Sequence, residues 1–155
     1  MMNIRGIVSA IIGGLLGTLT ACGQKAAMPE GQLLSIEYTE SGTMAGFKYE
    51  GHAEKQTDGS VMLRVSSEAY GPLVEKRVGQ EVLDSLRAII EEEKMYEYKS
   101  HYEPPFEVLD GEMWTFGAQF EGEQTIFSGG SNAWPAGNGL RRIRDYLDRL
   151  KEESR

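Results

Sequence analysis

The residues of this chain whose types could do chemistry are few: Cys22, His52, His101, and the run Ser128-Gly129-Gly130-Ser131. Glu50, His52 and Glu54 alternate in sequence, so on a strand all three project from one side and could hold a divalent ion weakly. No closed ligand set with supporting outer residues accompanies them, and the triplet reads as a solvated strand face. An EF-hand calcium loop is absent from the sequence. Ser131, His101 and Asp110 supply the types of a nucleophilic triad, as almost any chain of this length does. The Gly-x-Ser-x-Gly elbow is missing, and so is a Gly-x-x-x-x-Gly-Lys phosphate cradle. Among 24 acidic residues, paired carboxylates distinguish nothing. The sequence therefore predicts no catalytic residue, no metal ligand and no cofactor.

Two other segments, 98–114 and 128–138, concentrate large aromatics. Tyr98, Tyr102, Phe106, Trp114 and Trp134 lie in or beside them, with Ser131, Asn132 and Asn138 as polar neighbours. Aromatic rings with adaptable polar groups suit a sugar, a peptide or a protein partner. Tyr102, Trp114, Ser131, Asn132 and Trp134 form the candidate contact set. The opposing reading is that Tyr102 and Trp134 close the ends of the core, since large aromatics are mostly buried. Likewise His101-Tyr102-Glu103-Pro104-Pro105 is either an extended recognition segment or a connection stiffened by its prolines. A concave pocket lined by these side chains supports a binding site; burial of all of them removes it.

The first residues add a location. Arg5 and the amino terminus provide positive charge, and Gly6 to Leu19 is apolar but glycine-rich, with Gly13, Gly14 and Gly17. This stretch is short of the roughly 20 apolar residues of a membrane-spanning helix. Each of its glycines costs about 1 kcal/mol against alanine in a helix, so it does not read as a core helix either. It has the grammar of a secretory signal. It ends in Leu19-Thr20-Ala21-Cys22, which resembles the lipobox of bacterial lipoproteins. The resemblance covers residues 1–22 and implies export, cleavage before Cys22 and lipid attachment to its sulfur. Cys22 is the only cysteine, so no disulfide within the chain can form. Two or more acyl chains hold a protein stably on a membrane. In that family an aspartate after the cysteine can favour retention at the inner membrane; Gly23 stands there instead. The implied place is the periplasmic side of an outer membrane where the cell has two membranes, and otherwise the outer face of the cell membrane. The remainder resembles the small domains carried behind such leaders, with an aromatic strand, a glycine turn and Asn132-Ala133-Trp134-Pro135.

Removing residues 1–21 leaves 134 residues, enough for one domain with a core. The formal charge moves from −8 to −9 with the loss of Arg5. That balance argues against nucleic acid, whose phosphates need clustered Lys and Arg, and against further attraction to anionic lipid. Residues 22–31 read as a lipidated cysteine and flexible tether, and residues 32–155 as a single domain.

Alternation predicts strands over Leu33–Tyr38, Phe47–Glu54 and Val61–Ser66, with Thr57-Asp58-Gly59-Ser60 as a hairpin turn. Pro72 breaks the pattern. Helical periodicity follows over Gln80–Lys94, with Val82, Leu83, Leu86, Ile89 and Ile90 on one face. A long connection over 97–111 leads to a strand at Trp114–Phe120, a turn at Glu121–Glu123, and a short strand over Gln124–Ser128. Ser128 to Asn138 reads as a loop. Asn138 is placed to cap a final helix whose stripe is Leu140, Ile143, Leu147 and Leu150. On its outside, Arg141–Asp145 and Arg144–Asp148 are spaced for i,i+4 pairing. The expected fold is α+β: an antiparallel sheet of about five strands, in the order β-β-β-α-β-β-α, with both helices on one face. The hairpin-then-helix order occurs at 44–94 and again at 113–151, without a residue match that establishes a duplication.

These readings lead to a lipid-anchored envelope protein whose domain binds a protein, peptide or glycan without catalysis. The alternatives are an envelope hydrolase using His101 and acids such as Glu103, or an inhibitor that meets a basic enzyme through its acidic surface.

Overall fold

The structure, a computed structural model, describes residues 26–42, 46–67 and 71–153. The leader and Cys22 lie outside the described residues. Among the described residues seven strands form one sheet: β1 (Leu33–Gly42), β2 (Gly46–Lys55), β3 (Val61–Ser66), β4 (Val74–Val78), β5 (His101–Tyr102), β6 (Glu112–Phe120) and β7 (Thr125–Ser131). The described residues also form two α-helices, α1 (Glu81–Glu92) and α2 (Gly139–Glu152), and short 3-10 turns at Met95–Glu97 and Glu121–Glu123. The spatial order is β4-β3-β2-β1-β6-β7-β5. The α+β class matches the expectation; the strand count and the purely antiparallel pairing do not. The sheet is mixed, because β5 runs parallel to β7 through His101–Gly129 and Tyr102–Gly130.

The missed strands are the two edges, and each has a physical reason. In Val74-Glu75-Lys76-Arg77-Val78 the charges that blunt an edge strand also dilute the alternation that reveals a strand. β5 has two residues, too few to show any period. β7 also reaches further than expected, through Gly129-Gly130 to Ser131.

The covered face of the sheet carries Ile36 and Tyr38 of β1, Tyr49 and Ala53 of β2, Val61, Leu63 and Val65 of β3, and Trp114, Phe116, Ala118 and Phe120 of β6. Against it lie Val82, Leu83, Leu86, Ile89 and Ile90 of α1 and Leu140, Ile143 and Leu147 of α2, all in one core. Both helices therefore sit on one face, where their apolar stripes find the apolar half of every strand. At Gly51 a Cβ would lie 2.6 Å from Leu147 Cδ1, so glycine there lets α2 approach β2.

The opposite face is open. Ser35, Glu37, Thr39 and Ser41 of β1 lie beside Gln119, Gly117, Thr115 and Met113 of β6, with Thr39 and Thr115 hydroxyls 2.7 Å apart. Glu50, His52 and Glu54 share this face, and Arg64 stands directly across from His52. Arg64 bonds Glu75 at 2.7 Å, and the Glu54 and Glu50 charges add to the rise in its pKa. No group of acids and histidines among the described residues is arranged to hold a metal ion.

The segment read as a tether is held at its far end. Met28 packs on the core, Pro29 is buried, and Arg87 donates to the carbonyls of Pro29 and Gly31. The Gln32 amide donates to Glu121 Oε2 at 3.0 Å. The chain thus enters the domain beside the β6–β7 turn.

In the β2–β3 turn, the Ser60 hydroxyl and amide donate to Asp58 at 2.6 and 3.0 Å, and Arg77 adds a bond at 2.6 Å. These donors, Ser60 first, hold the Asp58 carboxyl down at about 2. A carboxylate depressed by folding contributes stability that is complete above its unfolded pKa and lost as the pH falls through the folded value. Between about pH 4 and pH 2 the thermal midpoint of wild type should therefore fall through this group. Asp58→Asn should flatten that part of the midpoint-against-pH curve; an unchanged acid limb would remove Asp58 from it.

Candidate functional site

The end of the sheet farthest from the tether gathers four pieces of chain: the C-terminal part of β1, the start of β6, the end of β7, and the 132–138 loop leading into α2. Trp114 organises it. Its indole is buried on the covered face and donates to the Ala133 carbonyl at 2.8 Å. Its ring lies 5.9 Å from that of Tyr102, which in turn meets Tyr98 edge-on at 6.4 Å. The space under the indole exists because residue 130 is glycine: a Cβ there would sit 2.5 Å from both Trp114 Nε1 and the Ala133 carbonyl. Ser128, fully buried, donates to the Lys99 carbonyl at 2.7 Å and ties β7 to the segment before β5. The Ser-Gly-Gly-Ser run is a strand with a tryptophan across it.

Asn132 is a bracket. With φ at 52° in the left-handed region, it gives its amide to the Glu112 carbonyl at 2.8 Å and accepts the Glu112 amide on Oδ1 at 2.9 Å. Asparagine tolerates that conformation better than most residues. Ser131 accepts from Asn132 Nδ2 at 3.4 Å and faces the open side with Met113 and Phe127. Tyr102 is partly buried and takes the Lys99 amide on its hydroxyl at 3.1 Å. Of the five expected contact residues, then, Trp114, Tyr102 and Asn132 build the end of the fold, and Ser131 lines the open face. Trp134 is the one whose side chain stands out, 47% exposed.

Trp134 and Pro135 wall a cleft of about 250 Å³ with Tyr38, Glu40, Tyr98, Leu140, Arg141 and Arg144. A second recess of about 220 Å³ lies on the other side of Trp134 and Glu40, reaching Lys48, Glu112 and Met113. Inside the first, Arg144 Nη1 bonds Glu40 at 2.6 Å, and its guanidinium lies 4.7 Å from the centre of the Tyr49 ring. The Tyr38 hydroxyl donates to the same carboxylate. Burial, then the Glu40 bond, pushes the Tyr38 hydroxyl far above its ordinary pKa. Tyr98 is pushed up to about 12, mainly by burial and next by the Glu93 charge. Arg144 is thus locked by partners, including Asp148 at 3.7 Å. Arg141 differs: it bonds the neutral Asn138 Oδ1 at 2.9 Å and has no carboxylate within ion-pair reach among the described residues. The expected Arg141–Asp145 pair is absent from the ion pairs of the described residues, and so is the expected cap. Asn138 occupies the N-cap position of α2 without capping it through its side chain. Its amide donates to Glu93 Oε2 at 3.3 Å, and Arg142 bridges Glu92 and Glu93 to clip α1 to α2.

His101 is exposed, 3.7 Å from Glu103, and no hydrogen bond joins it to Ser131 among the described residues. Tyr38, Glu40, Arg141 and Arg144 escaped the sequence reading because the two arginines fit an outer ion-pair pattern and β1 shows its alternation most clearly before Thr39. No helix among the described residues is long and apolar enough to cross a membrane. No protein-family model matches the chain, and no curated protein is similar to it.

Two substitutions test the construction. Gly130→Ala should cost about 1–3 kcal/mol by overpacking, seen as a lower denaturation midpoint, since its new methyl meets an indole and a backbone carbonyl. Tyr49 offers the opposite case: its hydroxyl is buried with no hydrogen-bond partner among the described residues, and burial, then the Asp148 charge, raises its pKa. Removing an unsatisfied buried hydroxyl without changing shape is neutral or stabilising, so Tyr49→Phe should hold or gain about 1 kcal/mol. A clear loss in urea titration would mean that the hydroxyl has a partner.

Proposed function

We propose that this protein is an envelope lipoprotein, anchored through Cys22, whose domain binds a protein, peptide or glycan at the Trp134 cleft without catalysing a reaction. The observation that carries the reading is the exposed indole of Trp134, held at the mouth of a recess furnished with Glu40, Arg141, Arg144 and Tyr98. Exposing a tryptophan forgoes burial worth on the order of 2 kcal/mol, and the residue type is the one most enriched where binding energy concentrates. The anchor rests on Leu19-Thr20-Ala21-Cys22 and the apolar leader before it. The hydrolase alternative would have to draw its acid or base from His101 and Glu103, which stand exposed on a sheet edge.

The two tryptophans make the test direct, because one is buried and the other exposed. Soluble envelope glycans and peptides, added in turn to the mature domain, should include one that shifts the emission of Trp134 toward the blue. Trp134→Ala should abolish that response and at least tenfold of the affinity, with an unchanged circular dichroism spectrum. Binding that survives Trp134→Ala places the site elsewhere. Separately, Cys22→Ser should move the protein from the membrane to the soluble fraction; retention on the membrane would end the anchor reading.

A further inference from the structure

We propose that the pole of the domain opposite the tether is a docking surface for a protein whose contact patch is apolar at its centre and rimmed by Lys and Arg. The inference rests on the reading of the domain as a binding module and names the kind of partner. β1 starts beside the tether at Leu33, paired with Phe120, and ends at Gly42, paired with Glu112. At about 3.3 Å per residue those ends stand roughly 30 Å apart. The loop 103–111 begins and ends at the far pole, since Tyr102 pairs with Gly130 and Glu112 with Gly42. This loop exposes Phe106 at 68% and Leu109 at 89%, and Met113 and Trp134 follow at 50% and 47%. The loop rejoins the sheet beside the Trp134 loop: a Cβ at Gly111 would meet the Asn132 side chain, and Met113 and Trp134 share one recess. Exposed apolar groups gathered at one place mark an interaction surface. Pro104-Pro105 stiffens the loop, which lowers the ordering cost of binding.

Three candidate occupants separate on charge and length. Glu103, Glu107 and Asp110 fall within residues 103–111, which contain no Lys or Arg, while Glu112 next to them is paired with Lys48. Anionic lipid is repelled by that rim. Residues 23–27 join Cys22 to Met28, the first side chain packed on the core, and span at most about 20 Å even when fully extended. A domain standing on this leash turns the acidic pole away from its own membrane. A second copy of the chain would set acidic rim against acidic rim, which costs affinity. A protein with a basic rim satisfies both the apolar centre and the acids around it.

The test places a photoreactive amino acid at Phe106, at Leu109, or at Gln124 beside the tether, in the full chain expressed in its own cells. Positions 106 and 109 should each give one discrete adduct with the same protein, and position 124 should not. That protein, purified, should bind the mature domain with an affinity that falls steeply with salt. Glu103→Gln with Glu107→Gln should slow association several-fold and flatten the salt dependence. Leu109→Ser should weaken binding about tenfold with circular dichroism unchanged. An adduct with lipid, an adduct with a second copy, equal labelling from position 124, salt-independent binding, or no adduct from 106 and 109 each overturns the proposal. If position 109 captures nothing while Trp134 still responds to a soluble ligand, this inference fails and the binding-module reading stands; if both are silent, both fail.

Discussion

Everything at the end of this molecule that holds the Trp134 cleft depends on the pairing of β1 with β6 in the middle of the sheet. Ile36 and Ala118, Tyr38 and Phe116, and Glu40 and Trp114 stand opposite one another in register. Because side chains alternate between faces, that register fixes which residues meet the helices and which meet solvent. It puts two large aromatics side by side in the core, and then, one pair further along, sets a carboxylate beside an indole at the place where helical cover ends. A slip of one residue in β6 would carry Phe116 and Trp114 to the open face and remove them from the core shared with α1 and α2.

The Glu40 carboxylate would be costly at the edge of such a core if it were alone. It accepts from Arg144 and from the Tyr38 hydroxyl, while Arg144 spreads over the Tyr49 ring. The pair sits at intermediate exposure, where Coulomb attraction is stronger than in open water and desolvation is incomplete. This ties α2 to β1 by a charged contact at the edge of the apolar core they share. It also leaves a polar wall inside an otherwise apolar recess. Arg141, one turn away and bonded to an asparagine oxygen, gives that recess a positive group on a protein whose net charge is strongly negative.

How much of this was legible in the sequence follows from how far each signal extends along the chain. The stripes of α1 and α2 and the alternation of β1, β2, β3 and β6 repeat several times within each element, and all of these were found. β4 and β5 were lost because a five-residue charged edge and a two-residue bridge carry no period. Gly129 and Gly130 read as loop residues because glycine is ordinarily a breaker in a strand. Its reason here is the Trp114 ring, brought over residue 130 by a pairing between β6 and β7 that no local pattern announces. The site was half legible for the same cause. Its aromatics stand out as residue types, but Tyr38, Glu40, Arg141 and Arg144 become neighbours only through the register of β1 and the angle at which α2 crosses it.

The contrast between the two tryptophans sharpens that point. Trp114 is on the covered face of a strand, and its ring fills the end of the core completely. Trp134 lies in a loop whose backbone is tied down one residue earlier, at Ala133, by the indole of Trp114 itself. Asn132 and Glu112 hold the same loop from the other side. Trp134 is therefore presented outward by a rigid support, so a ligand that meets it would not have to order the loop first. A tryptophan exposed on a frayed loop would say little about function. One exposed on a loop bonded at two consecutive residues is a built feature of the surface.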